Sequence, residues 1–304
     1  MTREMFTTKE VAEYLSINEK QVYRLIKEKK IPATRITGKW LFPKNLVEEW
    51  IMSSARESVG AGVPRGIPEN QLVIAGSNDI ALELLVKNAA SAYPQYTISI
   101  SNVGSLAGLI ALHNGSCHVA ATHLLDVETG EYNSSFIKKH FPDMKVVLVN
   151  VAHREQGLIV KKGNPLGIKN VKSLVTKKAT LINRQEGSGT RVLLDYRLKE
   201  NGIDPESVRG YDRIAYTHME VALDVFSGAA DAGVGIMAAA RMLGLDFVPL
   251  AKERFDLAVL TEQCGAEPVA ALRKTLGAAE FKASVAAMGG YDVHDTGKVV
   301  YERD

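Results

Sequence analysis

The sequence has 304 residues, of which 46% are hydrophobic, and its formal net charge at pH 7 is only +2. This length fits two or three compact domains, and so small a net charge excludes a chain that binds nucleic acid along its whole surface. Two cysteines exclude a disulfide framework. The sequence shows no secretory signal and no apolar run near the ~20 residues that span a bilayer. We therefore expect a cytoplasmic protein without a membrane partner.

The first residues predict two short helices joined by a tight turn. Thr7 and Glu10 have the spacing of a capping box, which starts a helix. Asn18 is a favourable N-cap for a second helix over Glu19–Lys29. Apolar residues at helical spacing follow both caps, and this combination is typical of a helix-turn-helix.

A small hairpin and a third helix are expected next. Residues 34–42 alternate in polarity around a turn at residues 37–39, which predicts two short antiparallel strands. The third helix begins after Pro43.

Positive charge is concentrated in this region. Between Glu19 and Lys44 there are eight Lys or Arg residues and two Glu. Such a local excess favours a surface that contacts the phosphate backbone of a nucleic acid. A solvated helix face with no partner has the same composition, so the charge by itself leaves both interpretations open.

Residues 6–51 resemble the excisionase-like branch of the winged helix-turn-helix regulators, through the segment TTKEVAEYLSINEKQVYRLIKEKKIPATRITGKWLFPKNLVEEWI. The resemblance implies that a domain over residues 1–52 binds double-stranded DNA. It places four side chains of the second helix in the major groove and the hairpin against the backbone or minor groove. The DNA-contacting residues implied in this way are Gln21, Tyr23, Arg24, Lys27, Arg35, Lys39 and Trp40.

Residues 53–69 are rich in Ser, Gly and Pro and predict a linker. From residue 70 to 304 short apolar strands alternate with helices, which predicts an α/β domain with a parallel sheet. We expect strands over 72–75, 96–103 and 118–122, separate strands over 146–151 and 157–160, further strands over 247–250 and 257–260, and one C-terminal helix over about 266–287.

Small polar residues follow the predicted strands at the points where helices begin. Ligands of such sheets bind beyond the carboxyl ends of the strands, and free N–H groups at helix starts attract anions. In the first half of the domain these residues are Ser77, Asn78, Ser105, Thr122 and His123. Each of them can also be a simple helix cap, but their repetition favours a binding site.

The second half of the domain repeats this arrangement around one segment. A strand over residues 179–182 is followed by a segment that contains Arg184 and Ser188-Gly189-Thr190-Arg191, and then by a helix over 192–200. Glycine lets the backbone approach a ligand closely, and the two arginines add positive charge and paired donors.

The chain from residue 72 to about 288 resembles the periplasmic-binding-protein-like domain found fused to helix-turn-helix regulators. The matching segments are THLLDVETGEYN, REQGLIV, NRQEGSGTRVLLD, THMEVALDVFSGAADAGVGI and LDFVPLAKERFDL. The third is similar to the SGT helix start of tungstate- and molybdate-binding proteins. The resemblance implies an α/β fold: an N-terminal winged helix-turn-helix and a two-lobed type II domain, with lobe I at about 70–152 and 255–304 and lobe II at about 153–254.

We therefore expect a one-component transcription regulator, acting as a homodimer, that senses a small oxyanion such as molybdate or tungstate and has no cofactor. The predicted ligand-binding residues are Ser77, Asn78, Ser105, Thr122, His123, Arg154, Arg184, Ser188, Gly189, Thr190, Arg191 and His218.

Negative charge at Asp79, Asp126 and Glu131 keeps open a larger ligand related to the molybdenum cofactor, or an enzyme of that chemistry with a fused DNA-binding module. A third interpretation is a DNA-architectural protein whose second domain has lost its ligand. We expect no catalytic residues, because no Ser, Asp and His can be paired. We expect no metal, because His113, Cys117, His118 and His123 have no metal-binding spacing.

Overall fold

The computed structural model describes residues 5–15, 17–28, 30–36, 38–48, 50–51, 68, 70–126 and 129–303. The chain divides into two compact units, Met1–Ala61 and Gly62–Asp304. Of the predicted linker at 53–69, only residue 68 lies within the described residues, so the predicted domain boundaries stay a prediction. None of the described helices has the length and apolarity that a membrane-spanning segment requires.

The first unit has the helices and the hairpin that the sequence predicts. Its elements are β1 (Met5–Thr7), α1 (Thr8–Tyr14), α2 (Glu19–Lys27), β2 (Thr34–Ile36), β3 (Lys39–Pro43) and a helix α3 over residues 44–48 and 50–51. Both predicted caps are confirmed, since Thr7 with Glu10 and Asn18 with Gln21 form capping boxes. The β1 strand was not predicted. It pairs with β3, so the sheet order is β1-β3-β2.

A small core closes this unit. The helices and the sheet bury one face each, which stabilises a domain too small for a large core. Its buried side chains are Val11, Ala12, Val22, Ile31, Phe42 and Val47.

The second unit is built on one curved sheet of mixed direction. Its strands are β4 (Gln71–Gly76), β5 (Thr97–Asn102), β6 (Val119–Thr122), β7 (Val146–Val160), β8 (Leu181–Arg184), β9 (Ile214–Ala215), β10 (Ala232–Ile236), β11 (Asp246–Leu260), β12 (Tyr291–Asp292) and β13 (Val299–Arg303). The order is β5-β4-β6-β11-β7-β10-β8-β9, and β12 and β13 pair with β7. The β4, β5 and β6 strands are parallel, as are β8, β9 and β10. The predicted α/β class is confirmed.

Two long strands join the two lobes. The β7 and β11 strands have 15 residues each and pair antiparallel along their whole length. The prediction of separate strands on either side of residues 152–156 and 251–256 was wrong. Three of the polar residues that interrupt the apolar pattern, Arg154, Gln156 and Glu253, are buried and hydrogen-bonded to each other across the two strands, so the strands continue through them.

Helices cover both lobes. They are α4 (Ile80–Ala92), α5 (Ser105–His113), α6 (Ser134–His140), α7 (Val171–Thr176), α8 (Gly189–Glu200), α9 (His218–Ser227), α10 (Met237–Met242), α11 (Glu267–Gly277) and α12 (Ala279–Met288). The single C-terminal helix that we predicted is two helices, α11 and α12. Both pack on the first lobe through Leu272, Leu276 and Phe281, as expected for a chain that returns to that lobe.

Close packing of a helix on a strand positions the start of α5. A Cβ atom added to Gly108 would lie 2.6 Å from the Cα atom of Gly76 and 2.7 Å from the carbonyl oxygen of Ala75. Only a residue without a side chain lets the α5 backbone lie this close to β4.

We predict that Gly108→Ala lowers the free energy of unfolding of the second domain by at least about 1 kcal/mol, because overpacking against backbone outweighs the gain in helix propensity. Equilibrium urea denaturation measures this. The matched control is Gly265→Ala, where an added Cβ meets no atom within 4 Å. Equal stability of the two variants would contradict the packing argument.

Candidate functional site

Helix starts from both lobes converge on one cleft in the second unit. We call it the interlobe cleft and define it by residues 77–79, 104–105, 123, 154–156, 184, 188–190, 218 and 253. The sheet forces this convergence, because α4, α5, α8 and α9 all follow the carboxyl ends of strands. Of the predicted ligand residues, all but Gly189 are buried.

The two lobes touch across the interlobe cleft. The backbone N–H of His218 in the second lobe donates to Oδ1 of Asn78 in the first, at 3.2 Å. The imidazole of His123 packs so closely on Gly189 that a Cβ there would overlap the ring. These contacts describe a closed cleft, in which polar groups are shielded from water.

A buried guanidinium holds the base of the cleft together. Arg154 is 1% exposed, and its Nε and Nη1 groups donate to Glu253 and Asp79 respectively. Its guanidinium also lies over the ring of Phe255, 4.5 Å from the centroid. Burial alone would lower the pKa of Arg154, but the carboxylates of Glu253 and Asp79 outweigh burial and raise it.

The carboxylate of Asp79 accepts hydrogen bonds from several groups besides Arg154. Its Oδ1 caps α4 by accepting the N–H groups of Ala81 and Leu82, at 2.7 and 3.3 Å. The hydroxyl of Tyr291 donates to both carboxylate oxygens, at 3.0 and 3.2 Å. Negative charge at Asp79 was one reason to consider a larger ligand of mixed charge. Arg154 neutralises this charge within the protein.

The carboxylate of Glu253 contacts three other residues of the interlobe cleft. It faces Arg154 directly in the antiparallel register of β7 and β11. Its Oε2 lies 3.0 Å from Nδ1 of His123, which fixes the proton of a neutral imidazole on that nitrogen. Its Oε1 accepts from Nε2 of Gln156 at 2.6 Å. Burial raises the pKa of Glu253, but Arg154, His123 and Gln156 together outweigh this effect and lower the pKa to about 2.

Among the described residues, no carboxylate forms an ion pair with Arg184. This side chain is 2% exposed, and it donates to the side-chain oxygen of Gln185 at 3.2 Å and to the carbonyl of Tyr216 at 2.8 Å. Its Nη1 has no hydrogen-bond acceptor. Burial and then the charge of Arg154 lower the pKa of Arg184 to about 10. The carboxylates of Glu220 and Glu253 offset only part of this lowering, so an anion bonded directly to the buried guanidinium would stabilise it.

Further polar atoms of the interlobe cleft are unpaired. They are Nη2 of Arg154, Nδ1 of His218 and Oε1 of Gln156. Burial, followed by the charges of Arg184 and Arg154, holds the pKa of His218 well below its usual value. Arg154, Arg184 and His218 are therefore close enough in the interlobe cleft for the charges of the two arginines to act on the imidazole.

The hydroxyl groups of the cleft form hydrogen bonds with one another and with neighbouring N–H groups. The side chains of Ser77 and Ser105 are 2.7 Å apart, and Ser105 accepts the backbone N–H of His123 at 3.1 Å. Ser188 caps α8 by accepting the N–H of Arg191 at 3.2 Å. Thr190 accepts from Nε2 of Gln156 at 3.1 Å.

Two predicted ligand residues are held by other partners. Thr122 donates to Asn133 at 3.0 Å, in a buried network that ends on Asp256. Arg191 pairs with Asp195 at 3.1 Å and lies over the ring of Tyr211, 4.0 Å from the centroid. The ligand-binding roles of all these residues stay predictions.

Sequence reasoning missed Glu253, Gln156 and Tyr291. Nothing in their neighbouring residues indicates a site, because Glu253 and Gln156 meet only through the pairing of two distant strands. Asp79 was noted only as negative charge, although its position before Ile80 is that of an N-cap.

The predicted DNA-contacting side chains lie in the first unit. Tyr23 is 50% exposed, and Arg24, Lys27, Arg35 and Lys39 are exposed as well. Gln21 closes the cap of α2, because its Oε1 accepts the N–H of Asn18 at 3.0 Å. On the hairpin, the guanidinium of Arg35 lies 5.8 Å from the ring centroid of the half-buried Trp40. Their contact with DNA stays a prediction.

The chain is similar to two families of domains. Residues 86–277 match the model of the PBP superfamily domain, and residues 5–55 match that of a helix-turn-helix domain. The uncharacterized protein YvgK of Bacillus subtilis (strain 168) is 34% identical over 307 residues, which cover 98% of each chain.

Solved structures agree on the fold of the second unit. One is a phosphate transporter substrate-binding protein from Clostridium perfringens with bound phosphate (TM-score 0.54, 15% identity, 73% of this chain and 98% of that one). Another is the tungstate transporter protein from Geobacter sulfurreducens (TM-score 0.52, 16% identity, 73% of this chain and 100% of that one). At these identities the likeness shows the fold alone.

We predict that Glu253→Gln destabilises the second domain by about 3 kcal/mol at pH 7, because Arg154 loses one of two buried counter-charges. A carboxylate with a lowered pKa stabilises the fold above its unfolded pKa of about 4.3 and loses that effect as the pH falls towards about 2. The wild type should therefore lose stability between about pH 5 and 2, and the variant should lose less over that interval.

Denaturant unfolding at a series of pH values measures this difference. The control is Glu280→Gln, since Glu280 is exposed on α12, and its acid profile should match the wild type. A Glu253→Gln profile parallel to that of the wild type would contradict the assigned ion pair.

Proposed function

The chain belongs to the PBP superfamily and carries a helix-turn-helix domain, and from this premise we propose that it is a one-component transcription regulator that binds DNA in response to a small anion. A helix-turn-helix domain is a DNA-binding type and a PBP domain is a solute-binding type. We propose no catalytic step. A regulator of this kind works where DNA is, which supports the cytoplasm as its compartment.

One observation carries the proposed ligand class: the buried guanidinium of Arg184 has no carboxylate partner. Unpaired donors on Arg154 and Arg184 add to it. An anion between the lobes supplies the missing acceptors and a direct counter-charge for Arg184. The same anion favours the closed cleft over an open one, because closure otherwise shields the guanidinium from water with only neutral hydrogen-bond acceptors.

We propose molybdate or tungstate as the effector. Support comes from the hydroxyl and N–H groups at the starts of α5 and α8, which suit a tetrahedral oxyanion. The solved tungstate transporter protein shares the fold. Of the ligand residues predicted above, Ser77, Ser105, Arg154, Arg184, Ser188 and Thr190 are the ones whose contacts fit this role best.

A second ligand class is favoured by Gln156. Its Nε2 donates to Glu253, which can only accept, so the orientation of the amide is fixed and Oε1 is left without a donor. An anion that keeps one proton at neutral pH, as hydrogen phosphate does, supplies such a donor. Molybdate and tungstate do not.

The proposed response is a change in lobe closure. The β7 and β11 strands are the continuous connection between the lobes, and register shifts between Pro249 and Ala251 and between Phe255 and Asp256 mark points where they bend. An anion that binds the closed form better shifts the equilibrium towards it. In a homodimer, which we propose on the basis of the helix-turn-helix, this shift changes how two DNA-binding domains are presented.

We predict that calorimetric titration with molybdate, tungstate, phosphate and sulfate detects binding of at least one of these anions, and that Arg184→Met weakens it about 10- to 100-fold, the effect of losing hydrogen bonds to a charged group. Without ligand, Arg184→Met should be no less stable than the wild type, because it removes a buried charge that has no ion-pair partner among the described residues. The control is Arg209→Gln, an exposed arginine of the same lobe.

Heat from none of the four anions would contradict the oxyanion effector. Tight phosphate binding with weak molybdate binding would select the second ligand class. Unchanged binding by Arg184→Met would show that this guanidinium is not the counter-charge.

We predict that Arg24→Ala lowers affinity for double-stranded DNA and reduces the slope of log affinity against log salt by about 0.9, the effect of losing one phosphate contact. Fluorescence anisotropy with a labelled duplex at several salt concentrations measures both. Anion binding should not change, because Arg24 lies in the other unit. Lys274→Ala, on α11, is the control, and equal loss in both variants would argue against α2 as the DNA-binding helix.

A further inference from the structure

Two histidines and one aspartate meet at the surface of the second unit, outside the interlobe cleft. His153 lies on β7, and His294 and Asp295 lie between β12 and β13. The Nε2 atoms of both histidines approach the same oxygen, Oδ2 of Asp295, at 3.0 and 2.7 Å. One ligand atom from each of the three residues can be chosen so that all lie within 4.8 Å of one another.

Hydrogen bonding accounts for only part of this arrangement. Nδ1 of His294 is 3.0 Å from Oδ1 of Asp292, while its Nε2 faces Asp295. A neutral imidazole has one N–H group and therefore donates to only one of two carboxylates. If Nδ1 donates to Asp292, Nε2 carries no proton, and its approach to within 2.7 Å of Oδ2 of Asp295 requires either a second proton on the ring or a metal ion shared by the two atoms.

The surrounding groups orient these ligand atoms. The contact between His294 and Asp292 is the carboxylate–histidine arrangement that commonly fixes a metal-binding imidazole from its far side. The rings of His153 and His294 are stacked, with centroids 4.9 Å apart and an angle of 16° between them. Lys298 binds Oδ1 of Asp295 at 3.0 Å, which leaves Oδ2 for the shared position.

We propose that His153, His294 and Asp295 bind a divalent transition metal ion such as Zn²⁺, with water completing its coordination. Two imidazoles and one carboxylate suit zinc and its neighbours in the first transition row, whereas Mg²⁺ and Ca²⁺ prefer oxygen ligands. The distances of 3.0 and 2.7 Å between the histidine nitrogens and Asp295 leave room for a metal ion only if the side chains rearrange, because zinc bonds are about 2.0–2.2 Å long.

A metal at this position joins the C-terminal segment to the strand that links the lobes. Tyr291 and Asp292 pair with Arg154 and His153 of β7. The Tyr291 hydroxyl also reaches Asp79 in the interlobe cleft. Metal binding therefore stabilises the packing of residues 291–299 on β7, whether or not the cleft binds an anion.

The test uses the full chain without a histidine tag, freed of metal by a chelator. Zn²⁺ is titrated by calorimetry in a non-coordinating buffer, and thermal unfolding is followed with Zn²⁺ or Mg²⁺. We expect one Zn²⁺ per chain, a higher unfolding temperature with Zn²⁺ and no change with Mg²⁺.

Variants locate the site. His294→Ala and Asp295→Asn should each lose Zn²⁺ affinity by more than Asp292→Asn, which removes only the orienting carboxylate and should cost about 10- to 100-fold. His113→Ala, which removes an exposed histidine on α5, should bind as the wild type does. Asp295→Asn keeps the size of the side chain and separates loss of binding from loss of folding.

Three results would overturn the proposal. One is Zn²⁺ binding that survives in both His294→Ala and Asp295→Asn. Another is equal stabilisation by Zn²⁺ and Mg²⁺. The third is stabilisation by mild acid alone without metal uptake, which would identify His294 as an imidazolium bridging Asp292 and Asp295.

Discussion

The second unit depends on how one buried guanidinium is neutralised. Arg154 lies in the strand that joins the lobes, and its charge requires carboxylates because water does not reach it. One of them, Asp79, comes from the start of α4, and the other, Glu253, comes from the neighbouring long strand. The cleft side chains His123 and Gln156 are in turn oriented by Glu253. A single ionic requirement therefore positions a helix, two strands and the polar wall between the lobes.

Arg184 obeys the same physics with the opposite result. It is as buried as Arg154, but its hydrogen-bond acceptors are neutral, and the carboxylates of Glu220 and Glu253 only partly offset the effect of burial on its pKa. In the regulator proposed above, closure becomes more favourable when an anion bonds to this guanidinium directly. A carboxylate placed within ion-pair distance of Arg184 would remove this dependence on a bound anion.

The long strand β7 also connects the cleft to the C-terminal segment. Neighbouring residues of a strand point to opposite faces, and here Arg154 serves the cleft while His153 faces His294 and Asp295. Tyr291 links the same segment to Asp79. The strand between the lobes is thus held by polar side-chain contacts on both of its faces.

The sequence by itself determined what depends on near neighbours. The capping boxes at Thr7 and Asn18, the hairpin, the succession of strands and helices and the start of α8 at Ser188 all follow from residues a few positions apart. The tertiary structure alone decided the continuity of β7 and β11, since the polar run 153–156 resembles a break until its partners are known. It also decided that Glu253 faces Arg154, that Arg184 lacks a carboxylate, and that His153 meets Asp295, 142 positions away. The reason is that sheet register and lobe closure bring together residues that are far apart in the chain. The residues next to each of them in sequence do not indicate which distant residue it will contact.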